Sequence, residues 1–291
     1  MHVIFGATGK VGGQAAQTLI DAGKPVRVVV RNPEQAAPWT ALGAEHAVAS
    51  IEDTDAVAAA LSGASSAFLL NPPPMIQDPF VEAELRAASL AEAMYRSGLP
   101  KAVILSSIGA QHRTGTGIIA TLHQFEMALH DALPAVAFLR PGYFIESWED
   151  VLASVANDHS LPTFIEAGQK IPMVSTTDVG QTAGQLMLEN WAGRRIVELD
   201  GPEEVNPRDV ASAFASALGH SVEPAFIPLN QQQALLEQAG LSPEVASALV
   251  GMYEGIANGR VDRQDGTEHL RGRTSLKTAI ARMVQNSHEP A

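Results

Sequence analysis

His2-Val3-Ile4-Phe5-Gly6-Ala7-Thr8-Gly9-Lys10-Val11-Gly12-Gly13 is the stretch on which the fold turns. A short apolar run, Val3 to Phe5, meets three glycines spaced Gly6-x-x-Gly9-x-x-Gly12. Val11, Ala15 and Leu19 then fall four apart, with Ala16 and Ile20 beside them, and so form one face of a helix. Strand, glycine turn and helix, in that order, are the setting a dinucleotide-binding fingerprint requires. Gly6, without a Cβ, can turn tightly off the strand. Gly9 lets the backbone approach a pyrophosphate, and Gly12 lets the helix pack closely on the strand. The helix start offers unpaired N–H groups and a partial positive charge to the phosphates. An ordinary βα turn can also be rich in glycine, so the weight rests on the context and not on the spacing alone.

Outward from this turn, strands and helices alternate through the first half. Asp21-Ala22-Gly23-Lys24-Pro25 stops the first helix. Val26 to Val30 reads as a buried parallel strand. Pro33 to Ala41 reads as a short helix capped by Asn32, Ala44 to Ala49 as a weak strand, and Asp53 to Leu61 as a helix closed by Gly63. Ala67 to Leu70 is a fourth strand, ended by Asn71-Pro72-Pro73-Pro74. Pro79 to Ser97 carries the strongest helical period, with Val81, Leu85, Ala88, Ala91 and Tyr95 in register and Gly98 as its stop. Ala102 to Ser106, Ile118 to Leu133 and Ala135 to Arg140 read as strand, helix and strand. Repeated βα units imply an α/β fold, a doubly wound parallel sheet with right-handed crossovers. In such sheets the ligand lies beyond the carboxyl ends of the strands, which selects the loops at Gly6, Arg31, Asn71, Ser106 and Pro141.

The second half loses this rhythm. Phe144 to Ala156, Thr177 to Asn190 and Pro207 to Leu218 (capped by Asn206) read as helical, the tail from Asn230 as helix-rich, and Arg195 to Leu199 as a short strand. The expected organisation is a dinucleotide-binding domain over 1–142 and a smaller substrate-binding lobe over 143–291, interleaved with the first and joined without a linker.

The chain of 291 residues is 46% apolar, enough for a sizeable core, and has no cysteine, which removes disulfides and thiol catalysis and fits a reducing compartment. A net charge of −13 disfavours binding to nucleic acid or to anionic membranes. No apolar run approaches the roughly 18 residues of a membrane span. The first strand begins at His2, which leaves no room for a signal or transit peptide, so a cytoplasmic protein is expected.

An NAD-preferring site places Asp or Glu about 20 residues past the glycines. Here the second strand ends Val30-Arg31-Asn32-Pro33, with no carboxylate. Arg31 stands where a 2′-phosphate would lie, and a guanidinium suits that group, so NADP(H) is the expected cofactor. Reduction of a simple ketone also needs a proton donor. Neither Tyr95, Tyr143 nor Tyr253 has lysine four residues on, so a Tyr-x-x-x-Lys pair is absent. His123, three residues before Glu126 on the helix after the fifth strand, is the candidate catalytic residue, equally readable as a surface histidine beside a glutamate. His112 is a lesser candidate. Ser106 can contact substrate or ribose, or simply end its strand. The nine histidines show no metal-ligand spacing, and no Gly-x-Ser-x-Gly elbow suggests a hydrolase.

Gly6-Ala7-Thr8-Gly9-Lys10-Val11-Gly12, Val30-Arg31-Asn32-Pro33, Ser106-Ser107-Ile108-Gly109-Ala110, Leu139-Arg140-Pro141-Gly142-Tyr143-Phe144, Thr177-Asp178-Val179-Gly180 and Leu199-Asp200-Gly201-Pro202 together resemble the NmrA-like family of atypical short-chain dehydrogenases/reductases, in its quinone-reductase-like branch. The resemblance implies a Rossmann-type domain with a smaller, helix-rich C-terminal lobe. It also implies that Gly6, Ala7, Thr8, Gly9, Lys10, Val11 and Gly12 hold the pyrophosphate and Arg31 the adenosine phosphate. Asn71, Pro72, Pro73, Ser106, Pro141, Gly142, Tyr143 and Phe144 would then flank the rest of the cofactor. His123 matches the position of a Lys or His in many members. Ser50-Ile51 stands where many members have an Asp. Two functions follow. One is an NADPH-dependent oxidoreductase acting on a quinone-like or conjugated carbonyl acceptor. The other is a non-catalytic NADP(H) sensor that binds a regulatory protein partner. A homodimer is left open.

Overall fold

The carboxyl ends of five parallel strands carry every loop at which a ligand is expected, and the order of those strands fixes where the ligand crosses. The computed structural model describes residues 1–72 and 77–288. Its first half runs β1 (His2–Phe5), α1 (Lys10–Asp21), β2 (Val26–Val30), a 3-10 turn (Pro33–Ala36) into α2 (Ala37–Ala41), β3 (Glu45–Val48), α3 (Thr54–Leu61), β4 (Ser66–Leu70), α4 (Pro79–Ser97), β5 (Lys101–Leu105), α5 (Ile119–Leu129) and β6 (Ala135–Pro141). There follow β7 (Tyr143–Phe144), a 3-10 segment (Ile145–Val151), α6 (Leu152–Asn157), β8 (Ser160–Thr163), β9 (Ile171–Val174), α7 (Thr176–Leu188), β10 (Gly193–Asp200) and β11 (Glu204–Val205). The chain ends with α8 (Pro207–Leu218), β12 (Glu223–Phe226), α9 (Leu229–Gln238), α10 (Pro243–Ala257), β13 (Glu268–Arg271) and α11 (Leu276–His288).

Eight strands form the main sheet in the order β13-β10-β6-β5-β4-β1-β2-β3, and each pairing in it is parallel. Alternate residues of each strand serve opposite faces. Ile4, Val28, Phe68, Val103 and Ala137 pack beneath α1 and α7. Val3, Val29, Leu69, Ile104 and Phe138 pack beneath α3, α4 and α5. α1 and α7 lie against each other because Gly180 carries no side chain: a Cβ there would stand 2.5 Å from both Val11 O and Gln14 Cβ. A third core, with Trp148, Leu161, Met173, Phe214 and Ile280, is built from residues between Ile145 and Val284.

The fold class expected from the sequence is the one observed, with three local differences. Pro33 to Ala41 is two pieces, because Pro38 starts a new turn and cannot donate a hydrogen bond inside a continuous one. α4 has the expected bounds, but its apolar stripe faces outward. Val81, Leu85 and Tyr95 are 53%, 61% and 79% exposed, while Ala83, Arg86, Ala87, Leu90, Ala93 and Met94 are buried. Small alanines let the helix settle closely between α3 and α5. Phe144 to Ala156, expected as one helix, is the end of β7, a 3-10 segment and α6. β10 and β13 rejoin the main sheet from the second half of the chain, β10 running beside β6 and β13 beyond it.

Candidate functional site

The chain leaves β1 for β2 and β3 on one side and then crosses back to β4 on the other. The switch point is therefore the gap between β1 and β4, and the Gly6 turn opens into it. Gly6 adopts φ +68°, and a Cβ there would press to 2.7 Å from Leu70 Cδ2 at the end of β4. A Cβ on Gly12 would lie 2.3 Å from Gly6 O and 2.9 Å from Phe5 O, so only glycine lets α1 start so near the strand. The Gly6 carbonyl accepts from Gly9 N–H at 2.9 Å and closes the turn. Gly9 caps α1 with no side-chain hydrogen bond, which leaves its first-turn amides for a ligand. Thr8, Gly9 and Lys10 are exposed, while Ala7, Val11 and Gly12 form the buried floor. Among the described residues the exposed Arg31 has no hydrogen-bonding or ionic partner. Uncapped amides, a close-packed glycine and an unengaged guanidinium fit a phosphorylated dinucleotide.

Lys10 is engaged. Its ammonium pairs with Glu149, tying the helix start to the 3-10 segment. The Asn71–Pro72 turn after β4 is pinned by Arg86, from the buried face of α4. The guanidinium donates to Pro72 O at 2.5 Å and to Glu52 Oε1 at 2.9 Å, and pairs with Glu82 at 3.3 Å. Burial works against ionisation of Glu52, but the hydrogen bonds from Ser50 and Arg86 outweigh it and hold its carboxyl below the usual range. Pro73, expected beside the cofactor, lies outside the described residues.

Ser106, Pro141 and Gly142 are brought together by main-chain bonds. Ser106 N–H donates to Leu139 O at 2.7 Å, Ile108 N–H to Pro141 O at 3.0 Å and Gly142 N–H to Leu199 O at 2.9 Å. Ser106 Oγ donates to Glu126 Oε1 at 2.5 Å. Arg140 then grips the same carboxylate with two bonds of 2.7 and 2.6 Å, and reaches Gln264 Oε1 at 2.7 Å and Glu198 at 3.8 Å. Arg140 and Glu126 are 3% and 6% exposed, and burial raises the Glu198 carboxyl above its ordinary range. The structure thus separates Glu126 from His123. The carboxylate turns inward to Arg140, and His123 Nδ1 lies 2.9 Å from Ala110 O. A carbonyl only accepts, so Nδ1 carries the proton of the neutral ring and Nε2 is left as an acceptor.

Tyr143 and Phe144 follow directly on the Pro141–Gly142 turn. Tyr143 Oη lies 3.3 Å from Tyr253 Oη of α10, and its ring centroid is 6.0 Å from that of Trp148. Arg86, Glu126, Arg140 and Tyr253 are the residues that sequence reading missed as parts of this edge. Arg86 left no signal, because the apolar period of α4 turns its face outward, whereas the structure buries it. Among the described residues no three of His, Cys, Asp or Glu gather in a metal-binding group, and no helix is long and apolar enough to cross a membrane.

The fold and this edge define a doubly wound α/β protein with an uncapped glycine turn at its switch point. The chain belongs to the NmrA-like family, whose profile matches residues 2–270. It is 23% identical over 254 residues to the NAD(P)H azoreductase of Xenophilus azovorans, covering 87% of this chain and 86% of that one. The NADPH complex of an Escherichia coli NADPH-dependent quinone oxidoreductase superposes with a TM-score of 0.81 at 20% identity, over 98% of this chain and 100% of the other. The NADP(H) complex of Citrobacter triphenylmethane reductase gives 0.78 at 18%, over 99% and 100%.

Proposed function

We propose that this protein is an NADPH-dependent oxidoreductase that passes hydride to a quinone-like or other conjugated carbonyl acceptor, working without a Tyr-x-x-x-Lys pair. The observation that carries the reading is the uncapped start of α1 over a Gly12 that tolerates no side chain. Family membership and the names of the azoreductase and quinone oxidoreductase relatives support it. In this reading 1–142 forms most of the cofactor body and 143–291 the acceptor lobe, with β10, β13 and α7 lent back to the first.

NADPH, when bound, supplies the hydride. The amides of Lys10, Val11 and Gly12 hold the pyrophosphate, with Gly6, Ala7, Thr8 and Gly9 shaping the turn. Arg31 pairs with the 2′-phosphate. Asn71 and Pro72, fixed by Arg86, and Ser106, fixed by Glu126, wall the nicotinamide half with Pro141, Gly142, Tyr143 and Phe144. His123 donates a proton from Nε2 only as the imidazolium, because Nδ1 is committed to Ala110 O. An acceptor that takes hydride first can draw its proton from water or from His123.

Calorimetric titration with NADPH and NADP⁺, followed by stopped-flow mixing of the NADPH complex with a panel of quinones, tests this. Acceptor-dependent loss of the reduced-nicotinamide absorbance is expected. Tight binding with no turnover, together with a partner affinity that differs between NADP⁺ and NADPH, would establish the sensor reading instead. Failure to bind either form removes both.

A further inference from the structure

Tyr143 and Tyr253 stand 110 residues apart in the chain, yet their hydroxyls meet at 3.3 Å. Tyr143 follows directly on the turn that ends β6, on the side of the switch point opposite Arg31. Tyr253 is held in place by main chain. Ile118 N–H donates to Ala248 O of α10 at 2.7 Å, and a Cβ on Gly251 would lie 3.0 Å from Gly117 Cα. α10 therefore rests directly on the loop that follows β5. Phe164 meets the Tyr253 ring edge-on, centroids 5.0 Å apart, and Trp148 lies tilted behind Tyr143.

This pair is under-used as a hydrogen-bonding group. Two phenols offer two O–H donors, and a mutual bond consumes one. At 3.3 Å that bond is longer than the roughly 2.5–3.0 Å of a good O–H···O contact, so a better acceptor displaces it at little cost. Burial raises the Tyr143 phenol well above its ordinary range, with Tyr253 and Asp150 adding to the effect. Burial raises Tyr253 as well. Both hydroxyls are thus kept as donors at neutral pH, between the rings of Trp148 and Phe164, with Ser147 and Asp150 also close to Tyr143.

We infer that the Tyr143–Tyr253 pair recognises the acceptor's oxygen, the phenols donating to a carbonyl of a planar quinone-class molecule lying beside Trp148 and Phe164. The inference rests on the oxidoreductase reading for its location, and it deepens that reading by selecting oxygen-bearing acceptors over aryl cations. A triarylmethane dye such as crystal violet presents no oxygen, so the phenols gain nothing from it.

Menadione and crystal violet, titrated separately by calorimetry into the full chain with NADP⁺ present, test the inference on wild type, Tyr253→Phe and Tyr143→Phe. Each variant keeps the ring and its packing, and two independent variants guard against loss of fold in one. Losing a hydrogen bond to the carbonyl is expected to weaken menadione about five- to tenfold more than it weakens crystal violet. Equal shifts for both ligands, or no measurable menadione binding to wild type, overturn the inference. Tyrosine-dependent menadione binding without NADPH oxidation would keep this inference and remove the oxidoreductase reading. NADPH oxidation by menadione that neither phenylalanine variant affects selectively would do the reverse.

Discussion

The two sides of the switch point are built by different means. On the Gly6 side the site is backbone: a turn closed by one main-chain bond, a helix start without a cap, and a glycine beneath it, all within residues 6–13. On the β4–β6 side it is side chain reaching to distant side chain. Ser106 depends on Glu126, Glu126 on Arg140, Arg140 on Gln264 at 124 residues' separation, and Tyr143 on Tyr253. The first construction tolerates almost no change of shape but holds little charge. The second holds buried charge that is safe only while each member is present.

That contrast predicts its largest effect at Arg140. Arg140→Ala leaves the buried carboxylate of Glu126 without its guanidinium partner, and breaking such a buried pair costs about 3–5 kcal/mol. Urea unfolding is expected to show a midpoint lowered accordingly with an unchanged slope. Glu126→Gln keeps an acceptor for Ser106 and Arg140 and is expected to cost less. If Arg140→Ala costs no more than an exposed arginine change, the network is decoration and the two sides do not differ as argued.

At Gly12 the expected loss is smaller in stability and concentrated in binding. In Gly12→Val the new Cβ begins 2.3 Å from Gly6 O, so helix and turn must part. Overpacking of this kind costs about 1–3 kcal/mol, and calorimetry should find NADPH binding lost with it. Retained binding at full affinity would move the phosphate site away from this turn.

The same contrast explains what the sequence made legible. The glycine turn could be read because its parts are neighbours in the chain, each with a steric reason for its residue type. The parallel sheet followed from alternating elements, but its strand order, with β10 returning beside β6 and β13 beyond it, did not. The β4–β6 edge could not be read in this way. Glu126 invites pairing with His123, three residues away, whereas its partner Arg140 comes from the next strand. Period alone located α4 but not its inner face, because alanines packed close under neighbouring helices outweigh larger apolar residues left outside. The strands β8 and β9 are short and interrupted by Pro162 and Pro172, and proline inside a run argues against a strand.

Arg31, exposed at the end of β2, decides which carrier the glycine turn is expected to prefer. A charge-assisted bond to a 2′-phosphate contributes about 1.5–3 kcal/mol, so Arg31→Ala should weaken NADPH roughly ten- to hundredfold and leave NADH nearly unchanged. Parallel titrations with the two cofactors measure this, and an equal loss for both withdraws the arginine's assignment.

The smallest effect lies at the other end of the same strands. A cleft of about 520 Å³, lined in part by His2, Lys24, Lys101 and Trp191, opens at the amino ends of the strands. His2 titrates at about 4, because burial disfavours its charged form and the α-amino group, Lys101 and Lys24 oppose it further. The folded state therefore refuses a proton that the unfolded chain accepts below about 6.5. The stabilising contribution of neutral His2, which bonds Ser66 Oγ at 2.8 Å, is complete above that pH and is lost as the pH falls from there through about 4. His2→Asn removes the titration, so urea midpoints at pH 7 and pH 4.5 should differ less for the variant than for wild type. A variant as acid-sensitive as wild type would show that the carboxylates of the opposite edge, Glu52 among them, carry the whole pH dependence. Its lowered carboxyl pKa makes its contribution fade on acidification in the same direction, so only the difference between the two proteins isolates the histidine.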